Sequence, residues 1–127
     1  MQRPSHRELA GKHRTATQLV DLDRWAAANP VKLAADFRDL DLFLADEQQS
    51  ALRESLAELA PEHYRGGRPP ARSYEPKTKG AEMFAFSWSS RRFGRKMYLK
   101  FAVVGETGDQ MLYVYSLHVS REKEGKR

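Results

Sequence analysis

The sequence predicts an α+β domain in which N-terminal helices pack on a C-terminal three-stranded antiparallel β-meander. Apolar residues recur at helical spacing in the first half of the chain and at every second position after Gly80. The length of 127 residues is common for one domain with one hydrophobic core, and the chain has no cysteine for a disulfide framework. We therefore expect a single domain over residues 1–127.

The first segment, residues 1–16, is expected to be a flexible basic arm. It contains Pro4 and Gly11, is rich in basic side chains and histidine, and has few apolar residues. Chain ends of this composition are commonly poorly ordered. From Thr17 the spacing of apolar residues predicts a short helix that stops at Asn29 and Pro30.

Two further helices complete the helical part, residues 17–60. Pro30 suits the first position of a helix, and an apolar stripe follows it: Leu33, Phe37, Leu40 and Leu44. The third helix is expected from about Asp46 to just before Pro61, with one apolar face: Leu52, Leu56 and Leu59. These apolar side chains are predicted to form the core.

Residues 61–80 are predicted to form a long basic loop. Glycines and prolines interrupt this segment repeatedly, and five arginine or lysine side chains and two tyrosines lie between them. A structureless loop of this length inside a small domain is usually functional or disordered. Residues 61–100 together carry ten basic and three acidic side chains, whereas residues 21–60 carry four and nine. The basic half is expected to attract a polyanion.

The β-meander is predicted over residues 81–120, and residues 121–127 form a charged tail. Apolar and polar residues alternate in three runs, 83–88, 97–103 and 112–119. Pairing Tyr98 with His118 and Lys100 with Ser116 leaves only apolar or aromatic pairs on the other face: Leu99 with Leu117, Phe101 with Tyr115, and Val103 with Tyr113. A sheet that packs on helices requires such a face.

This register brings Tyr98, Lys100, Ser116 and His118 together on the open face of the sheet. A histidine supplies a general acid or base near neutral pH, and a lysine stabilises developing phosphorane charge. RNA can be cut without a metal because its own 2′-hydroxyl is the nucleophile. Basic residues predicted to hold phosphates, and aromatic residues predicted to stack on bases, are Arg65, Arg68, Arg72, Arg91, Arg92, Arg95, Lys96, Tyr64, Tyr74 and Trp88.

Several other classes of protein are not indicated. The sequence has no phosphate-binding loop, dinucleotide fingerprint or nucleophile elbow, and its four histidines lack a metal-ligand spacing. We therefore expect neither a metal nor a cofactor. No apolar run reaches ten residues, so no membrane association is expected, and a cytoplasmic setting fits the absence of cysteine.

Three short motifs carry a resemblance to a known family. They are the run from Leu59 to Arg65, the Tyr-Leu-Lys segment at 98–100 and the Ser-Leu-His segment at 116–118. Over about residues 52–120 the chain resembles the MqsR-like toxins of bacterial toxin–antitoxin pairs, which belong to the RelE-like group.

The resemblance implies a RelE-like fold and a metal-independent mRNA endonuclease neutralised by an antitoxin protein. By position, Arg65 stands where the family has a lysine, Tyr98 matches its tyrosine, and His118 stands where a lysine or histidine occurs. With Lys100, these are the expected catalytic residues. The glutamine on the family's first strand has no counterpart among Met83, Phe84 and Ala85.

Two alternatives remain open at the level of sequence. The chain is also consistent with a non-catalytic nucleic-acid-binding or inhibitor protein of mobile-element or phage origin, which would use the basic loop without cleavage. In the other alternative the acidic helices bind a basic protein through their carboxylates: Asp36, Asp39, Asp41, Asp46 and Glu47.

Overall fold

The computed structural model describes residues 3–121 and has the expected α+β class. Helices and strands follow one another as α1 (His6–Asp21), β1 (Trp25–Ala27), α2 (Pro30–Asp39), α3 (Ala45–Glu58), β2 (Phe84–Ser90), β3 (Arg95–Val104) and β4 (Met111–Val119). The strands form one sheet in the order β1-β4-β3-β2. The expected three-stranded sheet is therefore four-stranded, because β1 adds in parallel to β4.

The prediction of a flexible arm over residues 1–16 is wrong beyond Ser5, because that part of the segment is helical. The Ser5 hydroxyl accepts a hydrogen bond from the backbone N–H of Glu8 at 3.1 Å and caps α1. Leu9 and Ala16 are fully buried against the core, so burial outweighs the cost of Gly11 inside the helix. Tertiary packing therefore determined that this segment is a helix.

The helix expected from Thr17 to Asn29 is also only partly correct. α1 ends at Asp21, and Asp23 has a positive φ of 59°, which turns the chain out of the helix. Trp25–Ala27 then pairs in parallel with residues 112–114 of β4. The apolar spacing at Trp25 thus belongs to a strand rather than to a helix.

Local signals explain the starts of α2 and α3. The Asn29 side chain accepts a hydrogen bond from the backbone N–H of Lys32, and Pro30 occupies the first turn of α2. The Glu47 carboxylate accepts from the backbone N–H groups of Phe43 and Leu44 before α3. Leu44, expected in the stripe of the second helix, lies in the loop and is exposed.

The predicted register is confirmed near the site and wrong beyond it. Tyr98 pairs with His118, Lys100 with Ser116, and Leu99 with Leu117. A β-bulge between Lys100 and Phe101 then shifts the pairing by one residue. Phe101 lies opposite Val114 instead of the expected Tyr115, and Val103 lies opposite Leu112 instead of the expected Tyr113. The bulge turns Tyr115 to the open face, where its ring centroid lies 5.8 Å from the Lys100 ammonium.

One sheet face is covered by the helices and forms the core. Its central side chains are buried aromatic and aliphatic residues: Phe84, Phe86, Leu99, Phe101 and Leu117, packed against Leu9, Leu33, Leu52 and Leu56. The opposite face carries only a small buried cluster around Tyr115 and Ala102. No helix among residues 3–121 is long and apolar enough to cross a membrane.

Candidate functional site

A cleft of about 460 Å³ lies on the open face of the sheet. Its walls are polar or basic side chains from four parts of the fold: Lys32, Arg65, Tyr98, Lys100, Ser116, His118, Ser120 and Arg121. The four expected catalytic residues therefore line one cleft. Strands β3 and β4 provide its floor, since alternate residues of paired strands point to the same face.

Lys100 lies in a row that crosses the sheet. Ser116 of β4 is its partner on one side, and Ala85 of β2 is its partner on the other. Beyond Ala85, the backbone N–H of Arg65 donates to the Ala85 carbonyl oxygen at 2.8 Å. This contact brings Arg65 to the level of Lys100, although 35 residues separate them in sequence.

The next row holds Tyr98 and His118. Their rings stack with centroids 5.1 Å apart and planes inclined by 18°. His118 Nδ1 lies 2.8 Å from the carbonyl oxygen of Val119, and a carbonyl only accepts hydrogen bonds, so Nδ1 carries the proton. In the neutral imidazole, Nε2 is therefore the basic nitrogen. Burial raises the pKa of the Tyr98 phenol, and the positive charge of Arg121 partly opposes the rise.

Lys32 reaches the cleft from α2, on the outer side of β4. Its Nζ donates to Ser116 Oγ at 2.7 Å and lies 3.9 Å from Asp36 Oδ2. Burial lowers the pKa of the Lys100 ammonium, the nearby Lys32 charge lowers it further, and Glu75 partly opposes both. The two lysines are thus close enough to repel each other.

The cleft has the electrostatics of an anion site. Four cationic side chains line it, from Lys32, Arg65, Lys100 and Arg121, and none of its described lining residues is acidic. A wall of one sign focuses the field and concentrates counter-ions in the cleft. The arrangement is able to hold phosphate groups and to place a histidine nitrogen beside them.

Two of the aromatic residues expected to stack on bases lie in the core instead. Tyr64 is 5% exposed, packs edge-on against Phe86, and donates its hydroxyl hydrogen to the carbonyl oxygen of Gly67. Trp88 is buried and donates its ring N–H to Glu58 at 2.8 Å. The stacking prediction is wrong for both, because their apolar surface was needed inside. Tyr74 is exposed.

Two arginines of the basic loop, Arg68 and Arg72, hold the loop in place. The Arg68 guanidinium lies over the Tyr64 ring and donates to the carbonyl oxygen of Pro4. Arg72 donates to the carbonyl oxygen of Gly80 at 2.7 Å. Neither lines the cleft, so their expected contact with phosphate has no support from the geometry.

The Arg91–Arg92 turn is tied to α3. The Glu58 carboxylate accepts from the backbone N–H groups of Arg91 and Arg92, and the Arg92 side chain pairs with Glu54 at 2.9 Å. These arginines therefore lie outside the cleft, as does Arg95 at the start of β3. Lys96 is on the same sheet face as Tyr98 and Lys100 by alternation along β3, but it too is not among the residues that line the cleft.

Three lining residues were not found from the sequence: Lys32, Ser120 and Arg121. Ser120 directly follows β4, and extending the alternation of Ser116 and His118 by one step would have included it. Arg121 has the opposite parity, so alternation gives no signal for it. Lys32 gave no signal, because its contact with Ser116 spans 84 residues and depends on how α2 packs.

Comparisons with known protein families, curated proteins and solved structures find no match for this chain. The resemblance to MqsR-like toxins therefore remains a prediction from short motifs. Among residues 3–121, no three histidine, cysteine, aspartate or glutamate side chains gather as potential ligands of one metal ion.

Proposed function

We propose that this chain is a metal-independent endoribonuclease that cuts RNA in the cleft on the open sheet face. One observation carries the proposal: the stacked pair of Tyr98 and His118 lies in the same cleft as Lys100 and Arg65. Phosphodiester cleavage by a neighbouring hydroxyl is promoted by a general base, a general acid and donors that stabilise developing charge, and these four side chains can supply all three.

In the proposed reaction the RNA 2′-hydroxyl attacks the adjacent phosphorus. His118 Nε2 takes the proton of this hydroxyl, and the bond from phosphorus to the 5′-oxygen breaks. Lys100 donates a proton to that oxygen, and burial together with the Lys32 charge makes it a stronger acid by lowering its pKa. The products are a 2′,3′-cyclic phosphate and a free 5′-hydroxyl.

The remaining groups stabilise the charge that develops on phosphorus. The Tyr98 phenol keeps its proton, because burial raises its pKa, and donates a hydrogen bond to a non-bridging oxygen. Arg65 lines the same cleft, and we propose that its guanidinium binds the same phosphate group.

A toxin role in the bacterial cytoplasm, a RelE-like arrangement and an antitoxin partner are parts of the same proposal. Their support is the resemblance of the motifs at 59–65, 98–100 and 116–118 to MqsR-like toxins. Two of these motifs are adjacent in the sheet, where Tyr98 pairs with His118.

The deciding experiment is incubation of the purified protein with mixed single-stranded RNA at low salt in the presence of a chelator. We expect discrete fragments with cyclic phosphate ends. His118→Ala should abolish them, while Arg14→Ala, which removes one exposed charge from α1, should cut as the parent does. Circular dichroism of both variants checks that they are folded.

A second candidate function is nucleic-acid binding without cleavage. The four cations of the cleft favour it equally, since phosphate contacts alone give strong, salt-dependent binding. RNA that stays intact but shifts on a gel would replace the nuclease proposal by this one. RNA that neither shifts nor breaks would contradict both.

A further inference from the structure

We infer that Lys32 binds a second phosphate, next to the one that is cleaved, so that the substrate is a single-stranded RNA with at least two consecutive phosphates. The inference rests on the proposed function for the position of the cleaved bond. It assigns to α2 a part in substrate binding that none of the sequence motifs indicates.

Helix α2 takes the place of a strand along the second half of β4. β1 ends at Ala27, which pairs with Val114, and α2 then flanks the same edge of β4. The Asp36 carboxylate accepts from the backbone N–H of Leu117 at 3.1 Å, as a neighbouring strand would. Lys32, one turn earlier, is thereby held over Ser116.

The Lys32 ammonium is only partly neutralised. Its hydrogen bonds go to uncharged oxygens, Ser116 Oγ at 2.7 Å and the Tyr115 carbonyl at 3.5 Å. Asp36, the carboxylate beside it, is 3.9 Å away and already accepts from Leu117. The Lys32 side chain is 47% exposed, so a ligand can reach it. Such a cation beside a second lysine favours an anion between them.

The position of Lys32 fits a neighbouring phosphate rather than the cleaved one. It contacts Ser116 on the outer side of β4, whereas Lys100 lies on β3, the next strand inward. Neighbouring strands are about 4.8 Å apart, so on a path that crosses the strands Lys32 lies more than one strand spacing beyond Lys100. Successive phosphates of an extended single strand are spaced similarly. Arg65 reaches the same row from the opposite side of the sheet, so the RNA would cross the strands from Arg65 to Lys32.

The test uses binding of uncleavable 2′-O-methyl pentanucleotides, so its result does not depend on catalysis. Each linkage in turn is replaced by a neutral methylphosphonate, and affinity is measured for the parent, Lys32→Met and Arg14→Met. In the parent, neutralising the linkage that Lys32 contacts should weaken binding about tenfold, the loss expected for one charge-assisted hydrogen bond.

The affinity of Lys32→Met should no longer depend on whether that single linkage is neutralised, but it should still depend on the others. The slope of its log affinity against log salt concentration should also be smaller by about 0.7, the change expected when one phosphate contact is lost. Arg14→Met should behave as the parent does at every linkage. Methionine preserves most of the unbranched stem of lysine, and thermal unfolding checks that the fold is retained.

Three outcomes separate this inference from the proposed function. If RNA is cut but Lys32→Met stays sensitive at every linkage, the inference is wrong and the nuclease stands. If Lys32→Met loses sensitivity at one linkage while RNA stays intact, the phosphate site is real and catalysis is not. If the parent binds none of the pentanucleotides, the inference fails whatever the cleavage assay gives.

Discussion

The imidazole of His118 stacks on the phenol of Tyr98, with ring centroids 5.1 Å apart. The two residues are direct partners across β3 and β4, where side chains on one face lie close together. The stack and the contact of Nδ1 with Val119 fix the plane of the imidazole and leave Nε2 as its basic nitrogen.

Removing the His118 imidazole or the Tyr98 hydroxyl should reduce RNA cleavage, by different amounts. We expect His118→Ala to lower the rate by about 10²- to 10⁴-fold, because it removes the proposed general base. Tyr98→Phe keeps the stack and loses only the hydroxyl donor, so a smaller loss of about 10- to 100-fold is expected. Single-turnover cleavage at saturating RNA measures both, and equal rates in the parent and His118→Ala would remove this site.

The pKa of Lys100 should respond to Lys32. Burial and the Lys32 charge both lower it, so Lys32→Met should raise the pKa of Lys100 part of the way towards its ordinary value. Nuclear magnetic resonance titration of the side-chain Cε and Nζ signals of Lys100 measures the change directly. The control is Arg14→Met, which removes a charge from α1 and should leave the titration as it is.

The same lowered pKa gives a pH dependence of stability. Folded protein releases the Lys100 proton at a lower pH than the unfolded chain does, so in that window the unfolded chain binds more protons. The contribution of Lys100 to the free energy of unfolding should therefore rise with pH up to about pH 10.5, the ordinary pKa of lysine. Lys100→Met should lack this rise in urea unfolding measured across the window.

The Asp36 carboxylate is expected to stabilise the outer edge of β4. Asp36→Ala leaves the buried N–H of Leu117 without its acceptor and should lower the free energy of unfolding by about 1–3 kcal/mol. Asp36→Asn retains an acceptor oxygen and should cost less. Urea unfolding compares the variants, and faster amide exchange at Leu117 in Asp36→Ala alone would locate the effect. Equal losses in both variants would contradict this role.

Glu58 should stabilise the fold in a manner that disappears in acid. Partial burial raises the pKa of its carboxyl, but hydrogen bonds from Trp88, Ser90, Arg92 and Arg91 outweigh this and hold the pKa below its usual value. A lowered pKa contributes stability above about pH 4.5 that is lost as pH falls through the folded value.

Glu58→Gln should therefore be less stable than the parent at pH 7, by about 1 kcal/mol because solvent reaches the carboxylate. The difference should be smaller at pH 3, because the contribution of the carboxylate is lost progressively below about pH 4.5. Urea unfolding at the two pH values provides the measurement. A difference that is the same at both would assign the effect to shape rather than to charge.

Local pattern was enough to predict the floor of the cleft. Alternation along a strand has a period of two, and a one-residue slip of β3 against β4 would have put Lys100 and Ser116 on opposite faces. That reasoning brought Tyr98, Lys100, Ser116 and His118 together before any contact was known. Pro30 likewise predicted where α2 begins.

Tertiary structure alone decided what surrounds that floor. Residues 6–16 form a helix because Leu9 and Ala16 find a core to pack in, although their own composition favours disorder. Lys32 and Arg65 enter the cleft through contacts with β4 and β2 that are distant in sequence. Periodicity describes one element at a time, whereas burial and long-range contacts depend on which elements meet. The sequence by itself therefore determined the pairs Tyr98–His118 and Lys100–Ser116 on one face, and packing determined that Lys32 and Arg65 flank them.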